Sequence, residues 1–128
     1  MRRILFAVFL VVACATVAAA DSKEEAKSAY GRGDYALAAR LFRSLAEQGD
    51  ARAQVHLGML YTEGQGIPQD FIRAHMWYNV AAAALSGDAG KAAMKRRDDV
   101  ASRMTAAQIE KAQEMARRCQ QSQFKECD

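Results

Sequence analysis

Three cysteines, two histidines and a scatter of carboxylates are the groups in this 128-residue chain that could do chemistry. Cys119 and Cys127 form a C-x7-C pair near one end, and Cys14 lies near the other. If the N-terminal stretch is removed on export, two cysteines remain, and an even count in an oxidising compartment favours a structural disulfide. A redox couple would prefer C-x-x-C, and zinc would need further ligands. His56 and His75 stand 19 residues apart with no partner motif to make them a ligand set. The chain contains no G-x-S-x-G, no H-E-x-x-H and no phosphate loop; Gly64-x-Gly66 reads as a turn. Its carboxylates fall on expected helix exteriors rather than in a buried pair. The expectation is a non-enzyme with no catalytic, cofactor-binding or metal-binding residue.

The elements that carry these groups begin with a leader. Arg2 and Arg3 precede the apolar run Ile4–Ala13, and Ala18-Ala19-Ala20 stands as a cleavage site before Asp21. That is the pattern of a signal peptide, 1–20, and its apolar run is well short of the roughly 20 residues that span a bilayer. The mature chain is therefore expected to be periplasmic or secreted, assuming a bacterial source, with no transmembrane span. Val11-Val12-Ala13-Cys14 also fits a lipobox, so a lipid anchor at Cys14 stands as the alternative. The formal charge of +3 falls to about +1 without Arg2 and Arg3. Much of the basic character thus belongs to the leader, and no nucleic-acid partner is indicated.

Residues 21–128 read as one helical-repeat domain. From Ala53 to Ala82 two apolar stripes of 3.6-residue period flank the breaker Gly64-Gln65-Gly66-Ile67-Pro68. Gly58 and Ala74 are small at mid-helix, as close backbone approach requires. Asp34, Tyr35, Ala38, Leu41, Phe42, Leu45 and Ala46 recur, class for class, 36 residues later as Asp70, Phe71, Ala74, Trp77, Tyr78, Ala81 and Ala82. A further shift of 38 places Ile109, Ala112, Met115 and Cys119 in the same register. Three helix pairs follow, at 21–48, 51–86 and 88–128. Ser22 with Glu25 and Thr105 with Gln108 mark capping boxes, and Asp34 and Asp70 are N-caps. A helix is expected over Lys91–Arg103, burying Ala92, Ala93, Val100 and Met104. Its Lys95–Asp99 charges read as a solvated face. No stretch alternates strongly enough for a strand.

The central stretch, L-G-x-L-Y-x-x-G-x-G-x-x-x-D-x-x-x-A-x-x-W-Y-x-x-A-A, resembles the Sel-1-like repeat, a longer-looped relative of the tetratricopeptide repeat. The residues that carry it include Leu57, Gly58, Leu60, Tyr61, Gly64, Gly66, Asp70, Ala74, Trp77, Tyr78, Ala81 and Ala82, with Arg73 as the usual basic residue. The resemblance implies an all-α fold: a short right-handed α-solenoid of about three antiparallel helix pairs that binds other proteins. It implies no chemistry. The C-x7-C spacing is similar to cysteine pairs in the exported, cysteine-rich branch of that family, in which a bridge ties a helix end to the next element. Penicillin binding or β-lactam hydrolysis, associated with that branch, is the enzyme alternative; a structural envelope lipoprotein is another.

In such solenoids the first helix of each pair lines the concave surface. Arg52, Val55, Met59, Thr62 and Glu63 are therefore the expected face for a protein or peptide partner, Val55 and Met59 as apolar anchors and Arg52 and Glu63 at the rim. Two alternatives stand beside it. Val55 and Met59 could pack against the neighbouring first helix, and the Gly64–Pro68 loop could bind instead.

Overall fold

The structure, a computed structural model, describes residues 21–128. The expected leader, its cleavage site and Cys14 lie outside them. Among the described residues there are helices and no strand. Helix α1 covers 21–31, followed by α2 (Tyr35–Glu47), α3 (Ala51–Glu63), α4 (Phe71–Ala84), α5 (Gly87–Ala101) and α6 (Ala106–Gln121). They stack as three pairs in an all-α solenoid.

Capping chemistry sets the helix starts. The Asp34 and Asp70 side chains, 36 residues apart in sequence, accept from the backbone N–H of Leu37 at 3.3 Å and of Arg73 at 3.0 Å. Thr105 and Gln108 make a reciprocal capping box, with bonds of 3.2 and 2.9 Å. Two expectations shift. Residues 21 and 22 are already helical, so Ser22 does not open α1. Helix α5 starts at Gly87, ahead of the expected Lys91, and ends at Ala101. Asp50 serves two helices: its N–H closes α2 on the Leu45 carbonyl at 3.1 Å, and its side chain opens α3. Its carboxylate takes the N–H groups of Arg52 and Ala53 at 3.1 and 3.0 Å.

Helix α4 is the centre of the core, in contact with α3, α5 and α6. Five consecutive residues, Ala74, His75, Met76, Trp77 and Tyr78, are buried, which a helix with one inward face could not achieve. The sequence pattern marks Ala74, Trp77 and Tyr78, but His75, Met76 and Val80 are equally enclosed. On α5 the buried side runs through Gly90, Ala93 and Val100. Ala92 is exposed, because it lies off the side of α5 that carries the buried Gly90, Ala93 and Val100. Met104 is half-buried against the core.

Two glycines permit contacts that no other residue would. A Cβ on Gly58 would stand 2.6 Å from the Tyr78 ring, so α3 and α4 touch almost backbone to ring. Gly66 has φ +75°, and a Cβ there would lie 2.1 Å from the Tyr35 carbonyl oxygen. The loop of the second repeat thus rests on the start of α2. Buried Gln54 ties the pairs further, donating from Nε2 to the Ala46 carbonyl near the end of α2 at 3.1 Å.

A strap follows α6. Cys119 and Cys127 are joined by a disulfide with their Cα atoms 4.3 Å apart. Phe124 donates its N–H to the Cys119 carbonyl at 2.8 Å and lays its ring over Gly49 between α2 and α3. The tail of α6 is thereby fastened to the turn between α2 and α3.

Trp77, 1% exposed, is the largest side chain in this core. Trp77→Ala is expected to cost about 3–5 kcal/mol, enough to unfold so small a stack. Urea denaturation followed by circular dichroism checks it; an unchanged midpoint with full helicity would contradict burial.

Candidate functional site

Helices α1 and α3 meet directly, and α3 and α5 border a common cleft. The Tyr30 ring of α1 meets the His56 ring of α3 edge-on at 6.1 Å, and His56 stacks on Phe42 of α2 at 4.6 Å. His56 is thus a packing residue, fixed further by a 2.9 Å bond between Nδ1 and the Arg52 carbonyl. Two shallow clefts open on this surface. One lies between α1 and α3 and is lined by Lys23, Lys27, Phe42, Arg52 and His56. The other lies between α3 and α5, lined by Thr62, Tyr78, Arg96, Asp99 and Arg103.

The five residues expected at the face fall in three groups. Arg52 and Glu63 are exposed. Val55 and Met59 are half-buried and packed against the core, so each shows only part of its side chain. Thr62 is half-buried and already bonded. Its hydroxyl donates to the Gly58 carbonyl at 2.8 Å, which leaves the Tyr78 hydroxyl, 3.1 Å away, as donor to Thr62. The sequence analysis assigns no binding role to the cleft cations Lys23, Lys27, Arg96 and Arg103. The first two are spaced i, i+4, a signal for a shared helix face. Within the Lys95–Asp99 run the solvated reading holds for Lys95, which pairs with Asp99 in the open at 3.0 Å. It holds too for Arg96, Asp98 and Asp99, which are exposed, Arg96 and Asp99 at the cleft; Arg97 departs from it, half-buried and reaching the Asn79 side chain of α4 at 3.1 Å.

One titratable group is enclosed. His75 is 3% exposed, and its Nδ1 has no hydrogen-bond partner among the described residues. Burial holds its pKa below the ordinary 6.5; the Arg97 charge acts the same way, and Asp98 opposes them. His75 is therefore a neutral core residue. Among the described residues no group of three or more His, Cys, Asp or Glu side chains is gathered as a metal site. No described helix is long and apolar enough to cross a membrane.

The Sel1 repeat family profile matches residues 27–50 and 51–84, the pairs built from α1–α2 and α3–α4. The α5–α6 pair falls outside the match. No curated protein matches the sequence. Among solved structures, a protective antigen present in uropathogenic Escherichia coli strains, displaying an SLR fold, superposes with a TM-score of 0.61. The two are 26% identical, with 70% of this chain covered, and the chain spans 20% of the length of that protein.

The buried imidazole yields a pH dependence. Its folded pKa lies below the unfolded value, so the unfolded chain takes up the proton first as pH falls. Stability is expected to be full above about pH 6.5 and to decline below it toward the lowered folded pKa. Urea melts between pH 8 and pH 5 check this. The His75→Gln protein should lose much of the slope; a wild-type midpoint that rises on acidification through this window would contradict it.

Proposed function

As the chain belongs to the Sel1-like repeat family, we propose that it is an exported, non-catalytic adaptor that binds a protein segment along its first-helix face. The observation that carries this reading is the outer side of α3, which stands between a cleft shared with α1 and a cleft shared with α5. Exposed Arg52 and Glu63 there border half-buried Val55 and Met59, with a cleft on either side. Half-buried apolar side chains suit an anchor role, because they are already ordered and lose little rotamer freedom on binding. The flanking cations and Glu63 give such a face a directional charge pattern, which favours register over raw affinity. Export is supported by the leader pattern of 1–20 and by the disulfide, which persists in oxidising compartments.

The test is site-specific photocrosslinking in the native envelope, on protein whose first residue is expected to be Asp21. A crosslinker in place of Glu63 should give a discrete protein adduct. One in place of Glu114, exposed on α6, should not. Adding Val55→Ser with Met59→Ser should cut the adduct several-fold while helicity is retained. Equal adducts from positions 63 and 114 would contradict the face, and an acylated Cys14 at the N-terminus would contradict the cleavage site.

A further inference from the structure

One cleft elsewhere gathers two arginines and a phenol without any of the five first-helix residues above. Arg43 of α2, Tyr61 of α3 and Arg73 of α4 line it together, with Ile67 and Pro68 of the repeat loop as an apolar wall. Arg43 donates to the Tyr61 hydroxyl oxygen and has no carboxylate partner among the described residues. Burial, more than any neighbouring charge, pushes the Tyr61 phenol up, so it keeps its proton. That proton has no acceptor among the described residues.

Arg73 is oriented by Asp70, whose carboxylate accepts from Nη1 at 2.7 Å. Its Nε points the other way and reaches the Asp128 carboxylate at 3.3 Å. The Asp128 side chain is 55% exposed, so this contact is weak and easily exchanged. It is also placed there by the strap, since Asp128 directly follows the bridged Cys127. About 340 Å³ remains open beside it, so Asp128 does not fill the cleft.

The charges decide what belongs in that space. Arg43 and Arg73 face Asp70 and Asp128; with Asp128 displaced the site carries one net positive charge. A single carboxylate restores neutrality, whereas a dianion would overshoot it. Guanidinium forks and a phenol O–H are strong, directional donors to a carboxylate. The Ile67-Pro68 wall offers packing for the chain that carries it.

We propose that this cleft is a carboxylate-binding site for an acidic segment of a partner protein, and that Asp128 is the internal carboxylate which that segment displaces. The site stands apart from the first-helix face, and failure at one leaves the other unaffected.

The experiment is fluorescence anisotropy on the oxidised protein with a labelled short peptide of alternating glutamate and serine. The same peptide with glutamine for glutamate is the control. Asp128→Asn, which removes the competitor, should bind the acidic peptide roughly fivefold tighter than wild type, the scale of one exposed ion pair. In that background Arg43→Met should return binding to the level of the glutamine peptide. Tyr61→Phe keeps the ring and removes only the donor, so it tests the site even if Arg43→Met unfolds; it should weaken binding about threefold, the scale of one hydrogen bond. Equal binding of the two peptides by the Asp128→Asn protein would overturn the proposal. So would affinity untouched by Tyr61→Phe, or succinate that competes as well as the peptide at equal carboxylate concentration, which would make the ligand a free dicarboxylate.

Discussion

The contact between Gly58 and the Tyr78 ring is the constraint on which the rest of the structure depends. With hydrogen in place of a side chain, α3 lets the ring approach to where a Cβ would stand 2.6 Å away. The phenol hydroxyl then comes within 3.1 Å of Thr62, which is itself bonded to the Gly58 carbonyl. One helical turn of α3 and one aromatic side chain of α4 are thus locked by packing and by a short hydrogen-bond chain. Any larger residue at 58 would push α4 outward, and α4 is the helix against which α3, α5 and α6 all pack.

Enclosing α4 on several sides explains the division of labour in the molecule. Its buried run mixes small residues, Ala74 and Ala81, with the large side chains of Met76, Trp77 and Tyr78. The remaining helices need only one apolar stripe each, so their outer faces are free to carry charge. That is how a small all-helical stack keeps both a charged first-helix surface and a separate arginine cleft. The strap serves the same end: the disulfide pins the tail of α6, and Phe124 packs it against the turn between α2 and α3.

Much of this was legible in the sequence, for identifiable reasons. Asp34 and Asp70 could be read as caps because capping is a local interaction between a side chain and the next turn. The 36-residue offset exposed the repeat, because equivalent positions fill equivalent sites. Gly58 and Ala74 could be read as close-approach positions because smallness at mid-helix has few other uses. What escaped was set by partners distant in sequence. His75, Met76 and Val80 lie off the single stripe that periodicity reports, and they are buried because α4 has neighbours all round. Ala92 looked as apolar as Ala93, and only the approach of α5 to α4 separates them. Asp50 ends α2 through its backbone N–H and begins α3 through its carboxylate, a double duty that needs both helices in place. The pairing of Arg73 with Asp128 spans 55 residues and has no periodic signature.

The most direct measurement is the stability of Gly58→Ala. Away from any contact, replacing a mid-helix glycine by alanine stabilises a helix by about 0.5–1 kcal/mol. Here the added methyl meets a buried ring that has no room to yield, and overpacking of this kind costs about 1–3 kcal/mol. The two effects have opposite sign. Denaturation by urea should show the Gly58→Ala protein to be less stable than wild type, with unchanged m-value. A variant that is more stable than wild type would show that α3 and α4 do not depend on this contact.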